Sequence, residues 1–175
     1  MDERIIQGAE AVKTHTEEFG TFQSPNWGPL GVVDHGEVLF YRESRRKRAL
    51  LPALPAQPVD LIKVVAGADS RLLEASLESG ACGVVLEALG RGNVPPAVVP
   101  GIRRWRETGR PVVVTSRSLR GRVLDTYAYA GGGQELTEMG VIFADHLTGQ
   151  QARIELMLAI GTGAEDVRPL IEASV

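Results

Sequence analysis

The sequence predicts an α/β fold, a small doubly wound parallel four-stranded sheet domain preceded by the truncated tail of a further, β-rich unit. Two observations predict it. From Val59 onward, short runs of valine, leucine and isoleucine alternate with segments of helical spacing. That is the rhythm of βαβ units, whose strands are buried on both faces. Before residue 43 the apolar residues instead come in short pieces broken by glycine, proline and asparagine, and no helical period is present to cover a sheet.

The elements follow in order. Ile5 to Thr16 is patchily apolar and reads as strand and loop. "GVVDHGEVLFY", Gly31 to Tyr41, places Asp34-His35-Gly36 between two apolar runs, a tight hairpin signal. A sheet fragment this small is marginal alone, so residues 1–42 read as the end of a domain that the chain enters part-way. "RESRRKRALLPALPAQP", residues 42–58, then brings five basic residues and three prolines. It is short and lacks interleaved aromatics, which favours a solvated linker over residues 43–58 rather than a nucleic-acid contact.

Residues 59–175 carry the α/β domain. "VDLIKVV" is its first strand, and Asp69 or Ser70 caps a helix running to Gly80 with Leu73 and Leu77 on one face. "GVVLEAL" is the second strand, and a helix over 97–108 ends at Gly109. "PVVVTSR" is the third strand and, after a glycine-rich excursion, "GVIFAD" is the fourth. Thr148 with Gln151 forms a capping box that opens a helix to about Ile160. A last helix carries Val167, Leu170 and Ile171.

Composition narrows the function classes. The 175 residues are 43% hydrophobic and 23% charged, enough apolar material for a core. A net charge of −3 gives no overall footprint for nucleic acid or an anionic membrane. The single cysteine, Cys82, excludes an internal disulfide and a multi-cysteine zinc site, and its apolar surroundings suit an inert buried thiol. "MDERIIQG" lacks the features of a signal peptide, and no apolar run reaches the ~18 residues of a membrane span. The expectation is a soluble, cytoplasmic protein.

Ligands of open α/β sheets gather at the carboxyl ends of the strands. "LGRGNVPP" begins there like a dinucleotide loop, but Pro95 occupies the place of the third glycine. What remains is a tight turn that either presents the Asn93 amide or holds Asn93 in a left-handed or capping conformation. "TYAYAGGGQELTEMG", residues 126–140, reads as a mobile flap or a long connection. Its Glu135 and Glu138 can meet a substrate amine or simply lie on the surface. Lys13 is a solvated edge residue or a functional one. His15, His35 and His146 form no i,i+4 pair, so no metal site is expected. No nucleophile elbow or phosphate loop occurs.

Four stretches, in order, resemble the bacterial L-asparaginase family of threonine amidohydrolases: "AVKTHTEEFGTFQSPNWGPLG", "AGADSRLLEASLESGACGVVLEALGRGNVPP", "PVVVTSRSLRGRV" and "HLTGQQARIELMLAIG". The resemblance covers nearly the whole chain. It implies that residues 1–42 are the truncated β-rich tail of an N-terminal α/β domain and residues 59–175 the C-terminal domain. Lys13 then matches the lysine of a threonine-lysine-aspartate group, where an ammonium favours loss of the hydroxyl proton. Asn93 matches the asparagine that the C-terminal domain lends to a neighbouring subunit's active site. In some members an acidic flap residue also reaches across, the place Glu135 would take on a flap that is longer here and rich in glycine.

The family's catalytic threonines and aspartate lie in "TGGT"-type and "TDT"-type segments, and neither occurs in these 175 residues. The resemblance thus implies the C-terminal part of an enzyme that hydrolyses L-asparagine to L-aspartate and ammonia through a threonyl acyl-enzyme. It implies a homodimer or homotetramer without cofactor, metal, nucleic-acid or membrane partner. By itself the chain is expected to be inactive. The alternative is a non-catalytic α/β module, a ligand sensor or partner subunit.

Overall fold

The hairpin signal at Asp34-His35-Gly36 is realised as a two-residue turn. In the computed structural model, which describes residues 4–8, 11–43 and 54–172, His35 and Gly36 both lie in the left-handed region, at φ 45° and 85°. That is the turn whose twist matches the strands it joins. The chain divides into two compact units, residues 1–47 and 48–175. Of the linker expected at 43–58, residues 44–53 lie outside the described residues.

The first unit contains strands β1 (Arg4–Ile6), β2 (Val12–Lys13), β3 (Phe22–Gln23), β4 (Gly31–Asp34) and β5 (Glu37–Phe40). β4 lies between β1 and β5 in an antiparallel sheet, and β2 pairs separately with β3. Glycine is required at the start of β4, since a Cβ on Gly31 would fall 2.2 Å from the Leu39 carbonyl oxygen. Val38, Leu39 and Phe40 on β5 are exposed, so backbone pairing rather than side-chain burial holds this strand.

The second unit is the parallel α/β domain the sequence predicts. β6 (Val59–Lys63), β7 (Gly83–Ala88), β8 (Val112–Ser116) and β9 (Ile142–Phe143) pair in parallel and in sequential order. Every residue of β7 is buried, which explains why the strand reads, Glu87 apart, as an apolar run rather than an alternating one. Its side chains still alternate between two cores. Val84, Leu86 and Ala88 join Val112 and Val114 on one face, while Val85 joins Val59 and Val113 on the other.

Helices α1 (Arg71–Glu78), α2 (Val99–Glu107) and α3 (Gly133–Glu138) lie between successive strands in the chain. Right-handed crossovers that always step in one direction put their helices on one face. Leu73, Ile102, Trp105 and Leu136 accordingly pack into the first core. The opposite face is covered by α4 (Gly149–Gly161) and α5 (Arg168–Glu172), which follow the last strand and bring Ala152, Leu156, Ala159 and Ile171.

Local signals set the helix ends. The Asp69 carboxylate accepts the Arg71 amide at 3.1 Å, while the Ser70 hydroxyl turns to Glu74. α1 stops where Gly80 takes φ 88°. At α4, Thr148 Oγ1 accepts from the Gln151 amide at 3.4 Å and Gln151 Oε1 accepts from the Thr148 amide at 3.1 Å. This is the expected reciprocal cap. Pro96–Val98 forms a single 3-10 turn ahead of α2, so the helix expected over 97–108 begins slightly later.

Candidate functional site

At the carboxyl end of β7 the chain turns back on itself. Leu89 and Asn93 exchange backbone hydrogen bonds of 2.9 Å in both directions. Gly90 and Gly92 between them take φ 50° and 108°. A side chain on Gly92 would also crowd Phe143, Val114 and Val123 at 3.0–3.3 Å. The two glycines therefore make the turn and let it sit down on the sheet. Neighbouring loops hold it there: Ser116 Oγ donates to the Gly90 carbonyl at 2.6 Å, the Leu124 amide to Arg91 O at 2.9 Å, and the Val94 amide to Gly131 O at 2.9 Å.

Asn93 is half-buried on this platform. Among the described residues only His35 and Asp145 are non-glycine residues at positive φ, and the caps of the following turn and helix are Pro95 and Val98. Neither a left-handed conformation nor a capping role accounts for Asn93. Its side-chain oxygen is buried and has no hydrogen-bond partner among the described residues. An unpaired, desolvated acceptor costs about 1–3 kcal/mol, and a donor brought to it would recover that.

The sequence leaves the glycine-rich stretch open between a mobile flap and a long connection. In the fold it packs backbone against backbone and runs into α3. A Cβ on Gly131 would lie 2.1 Å from Val94 O, one on Gly132 2.4 Å from Tyr127 O, and one on Gly133 2.5 Å from Asp125 Cα. Three consecutive glycines thus serve close approach. Glu135 is engaged within the same unit: its Oε2 accepts the Gly131 amide at 2.8 Å, and its Oε1 lies 3.7 Å from Arg103 Nη2. Glu138 is exposed.

Lys13 belongs to the first unit, where it ends β2 opposite Phe22. The hydroxyls beside it shape the loop that follows. Thr14 Oγ1 donates to Thr21 O at 2.9 Å, and Thr21 Oγ1 both accepts from the His15 amide and donates to the His15 carbonyl. His15 Nδ1 accepts the Glu17 and Glu18 amides at 3.1 Å each. The Lys13 side chain is exposed and no hydrogen bond or ion pair engages its ammonium among the described residues.

Sequence reasoning passes over Glu87, a buried carboxylate near the carboxyl end of β7. Its Oε2 meets Lys63 Nζ at 2.9 Å. Gly149 opens α4 directly above it, where a Cβ would fall 2.6 Å from Glu87 Cγ. The positive end of a helix favours a carboxylate there. The available signal is a charged residue inside an otherwise apolar strand.

Comparison with known proteins decides the family. The model of the glutaminase/asparaginase C-terminal domain matches residues 58–169, more than half of the chain and the whole parallel sheet. The chain belongs to the glutaminase/asparaginase family. A second model, of the N-terminal asparaginase domain, matches residues 1–46, in agreement with the resemblance read from the four motifs. An L-asparaginase of Bacillus licheniformis is 29% identical over 168 residues, covering 96% of this chain and 52% of that protein. One subunit of the glutamyl-tRNA(Gln) amidotransferase of Pyrococcus horikoshii is 31% identical over 173 residues, covering 94% of this chain and 39% of its own length. Its counterpart in Methanosarcina mazei is 32% identical over 162 residues, with coverages of 90% and 38%. The chain thus spans about half the length of its asparaginase relative. As a family member it carries an asparaginase/glutaminase-type C-terminal domain with Asn93 at the carboxyl edge of its sheet.

Proposed function

We propose that this chain is the C-terminal part of a cytoplasmic L-asparaginase, hydrolysing the side-chain amide of L-asparagine to L-aspartate and ammonia. In the complete homo-oligomer a threonine hydroxyl attacks the amide carbon, ammonia leaves with the proton, and water then hydrolyses the resulting ester. The nucleophile comes from outside these residues, because the 175 residues hold no "TGGT"- or "TDT"-type segment. Lys13 supplies a positive charge beside that hydroxyl and favours its alkoxide. Asn93 offers its unpaired carbonyl oxygen to a donor at a neighbouring subunit's site. The observation that carries the reading is that oxygen, buried and unsatisfied at the position the family resemblance singles out. The Glu135 carboxylate, held by Gly131, is the weaker candidate for reaching a substrate amine.

The test is ammonia release from L-asparagine by the chain alone and after mixing with a matching N-terminal fragment that carries the threonine segments. The chain alone is expected to give only background, and the mixture to recover activity. Lys13→Met in the mixture is expected to lower the rate by about 10²–10³, by analogy with the loss of one oxyanion donor. Ammonia release by the isolated chain that Lys13→Met leaves unchanged would sink the reading. The amidotransferase relatives support a second reading, in which the domain works as part of a larger assembly. Activity that emerges only with a different partner protein would favour it.

A further inference from the structure

We infer that Glu135 is a positioning residue for Asn93 within its own unit, acting through the Gly131 backbone. This rests on the reading above that Asn93 is functional. The link is continuous and short. Glu135 Oε2 accepts the Gly131 amide at 2.8 Å, and the carbonyl of the same glycine accepts the Val94 amide at 2.9 Å. Val94 is the residue after Asn93, so the peptide that carries the Asn93 backbone is pinned on its far side by Gly131.

Three features show that this link is built rather than incidental. Gly131 sits at φ 83° with no room for a side chain against Val94 O, so the two backbones touch directly. A charged acceptor makes a stronger hydrogen bond to an amide than a neutral one, and Glu135 supplies it. Val94 and Leu136 of α3 are both buried in the first core, so the helix that carries Glu135 and the loop that carries Asn93 are anchored in the same core. Among the described residues the Asn93 side-chain oxygen has no hydrogen-bond partner to fix it, and its aim depends on the peptide units on either side. Leu89 fixes one. Gly131, held by Glu135, fixes the other.

The full chain tests this without any activity assay. Amide exchange at Val94 and the side-chain NH2 resonances of Asn93 are followed by NMR in wild type, Glu135→Gln, Glu135→Asp and Glu135→Ala. Glutamine keeps an acceptor at the same reach but loses the charge, and is expected to speed Val94 exchange only slightly and to leave the Asn93 signals close to wild type. Aspartate is one methylene too short and is expected to speed Val94 exchange by about tenfold or more and to shift the Asn93 signals, as is alanine. Should the alanine variant not fold, the aspartate and glutamine pair decides the matter. A Glu135 that only stabilised α3 would instead speed exchange at Leu136 and Met139 while Val94 and Asn93 stayed put, and that outcome would overturn the inference. Whether Asn93 serves the reaction is read separately, from Asn93→Ala in the reconstituted enzyme. A failure there leaves the exchange result standing.

Discussion

The indole nitrogen of Trp105 donates to the carbonyl oxygen of Leu73 across 2.8 Å, inside the core. It ties α2 to the first turn of α1 and satisfies the one polar atom of a fully buried ring. Trp105→Ala is expected to destabilise the fold by about 3–5 kcal/mol, the usual range for deleting a large buried aromatic. Trp105→Phe keeps most of the ring, loses the N–H, and should cost about 1–2 kcal/mol. Urea midpoints at an unchanged slope measure both, and a Trp105→Phe variant as stable as wild type would deny the hydrogen bond any share.

Gly132→Ala isolates the effect of close approach. Gly132 has an ordinary extended conformation at φ −78°, so alanine brings no backbone strain. The added methyl would nevertheless meet Tyr127 O at 2.4 Å and Tyr129 O at 2.8 Å, and neither carbonyl can swing away like a side chain. A loss of about 1–3 kcal/mol is expected, as for other overpacked positions. A neutral thermal melt would show that the segment yields freely.

Acid should reach α1 at its first turn. The Arg71 guanidinium, and after it the Arg71 amide, hold the Asp69 carboxyl below the ordinary carboxylate range. Its Nε lies 2.8 Å from Oδ2. A carboxyl with a lowered folded-state pKa makes the folded state bind fewer protons than the unfolded one in acid. Its stabilising contribution is therefore present above the ordinary carboxylate range and fades as pH falls towards the folded pKa. Carbon-13 titration of Asp69 should give a value below the ordinary range, and Arg71→Gln should raise it.

Asn93→Ala should act in opposite directions on stability and on turnover. In the chain alone it removes a buried acceptor that has no partner among the described residues, so urea unfolding should show unchanged or slightly higher stability. In the reconstituted enzyme it should raise KM more than it lowers kcat, if the amide serves binding rather than chemistry. Loss of stability in the isolated chain would mean that the oxygen already has a partner there.

Much of this architecture is legible because it rests on local chemistry. The valine runs of β7 and β8, the Thr148–Gln151 cap and the His35-Gly36 turn each declare themselves within a few residues. What escapes is tertiary. Three glycines in a row signal freedom, whereas here each lies against backbone from elsewhere in the unit, Val94 or the segment 125–129, and α3 follows them unannounced. The two-residue strand β3 leaves no periodic trace. For the site, spacing alone leaves Asn93 open between a turn conformer and a ligand group. Family resemblance singles it out, and the turn that carries it is held by the end of β8 and the segment after it, which no local pattern records.

The sequential order of β6 to β9 also governs how this unit comes into being. Each new strand pairs with the one made just before it, so the sheet can grow as the chain emerges, with α1, α2 and α3 clothing one side at once. The other side, with Val59, Val85 and Val113, waits for α4, which begins only at Gly149. At a synthesis rate of roughly 5–20 residues per second, a sheet bare on one side persists for seconds on every ribosome making it. During that interval a chaperone, or an aggregate, competes with α4 for the same apolar face.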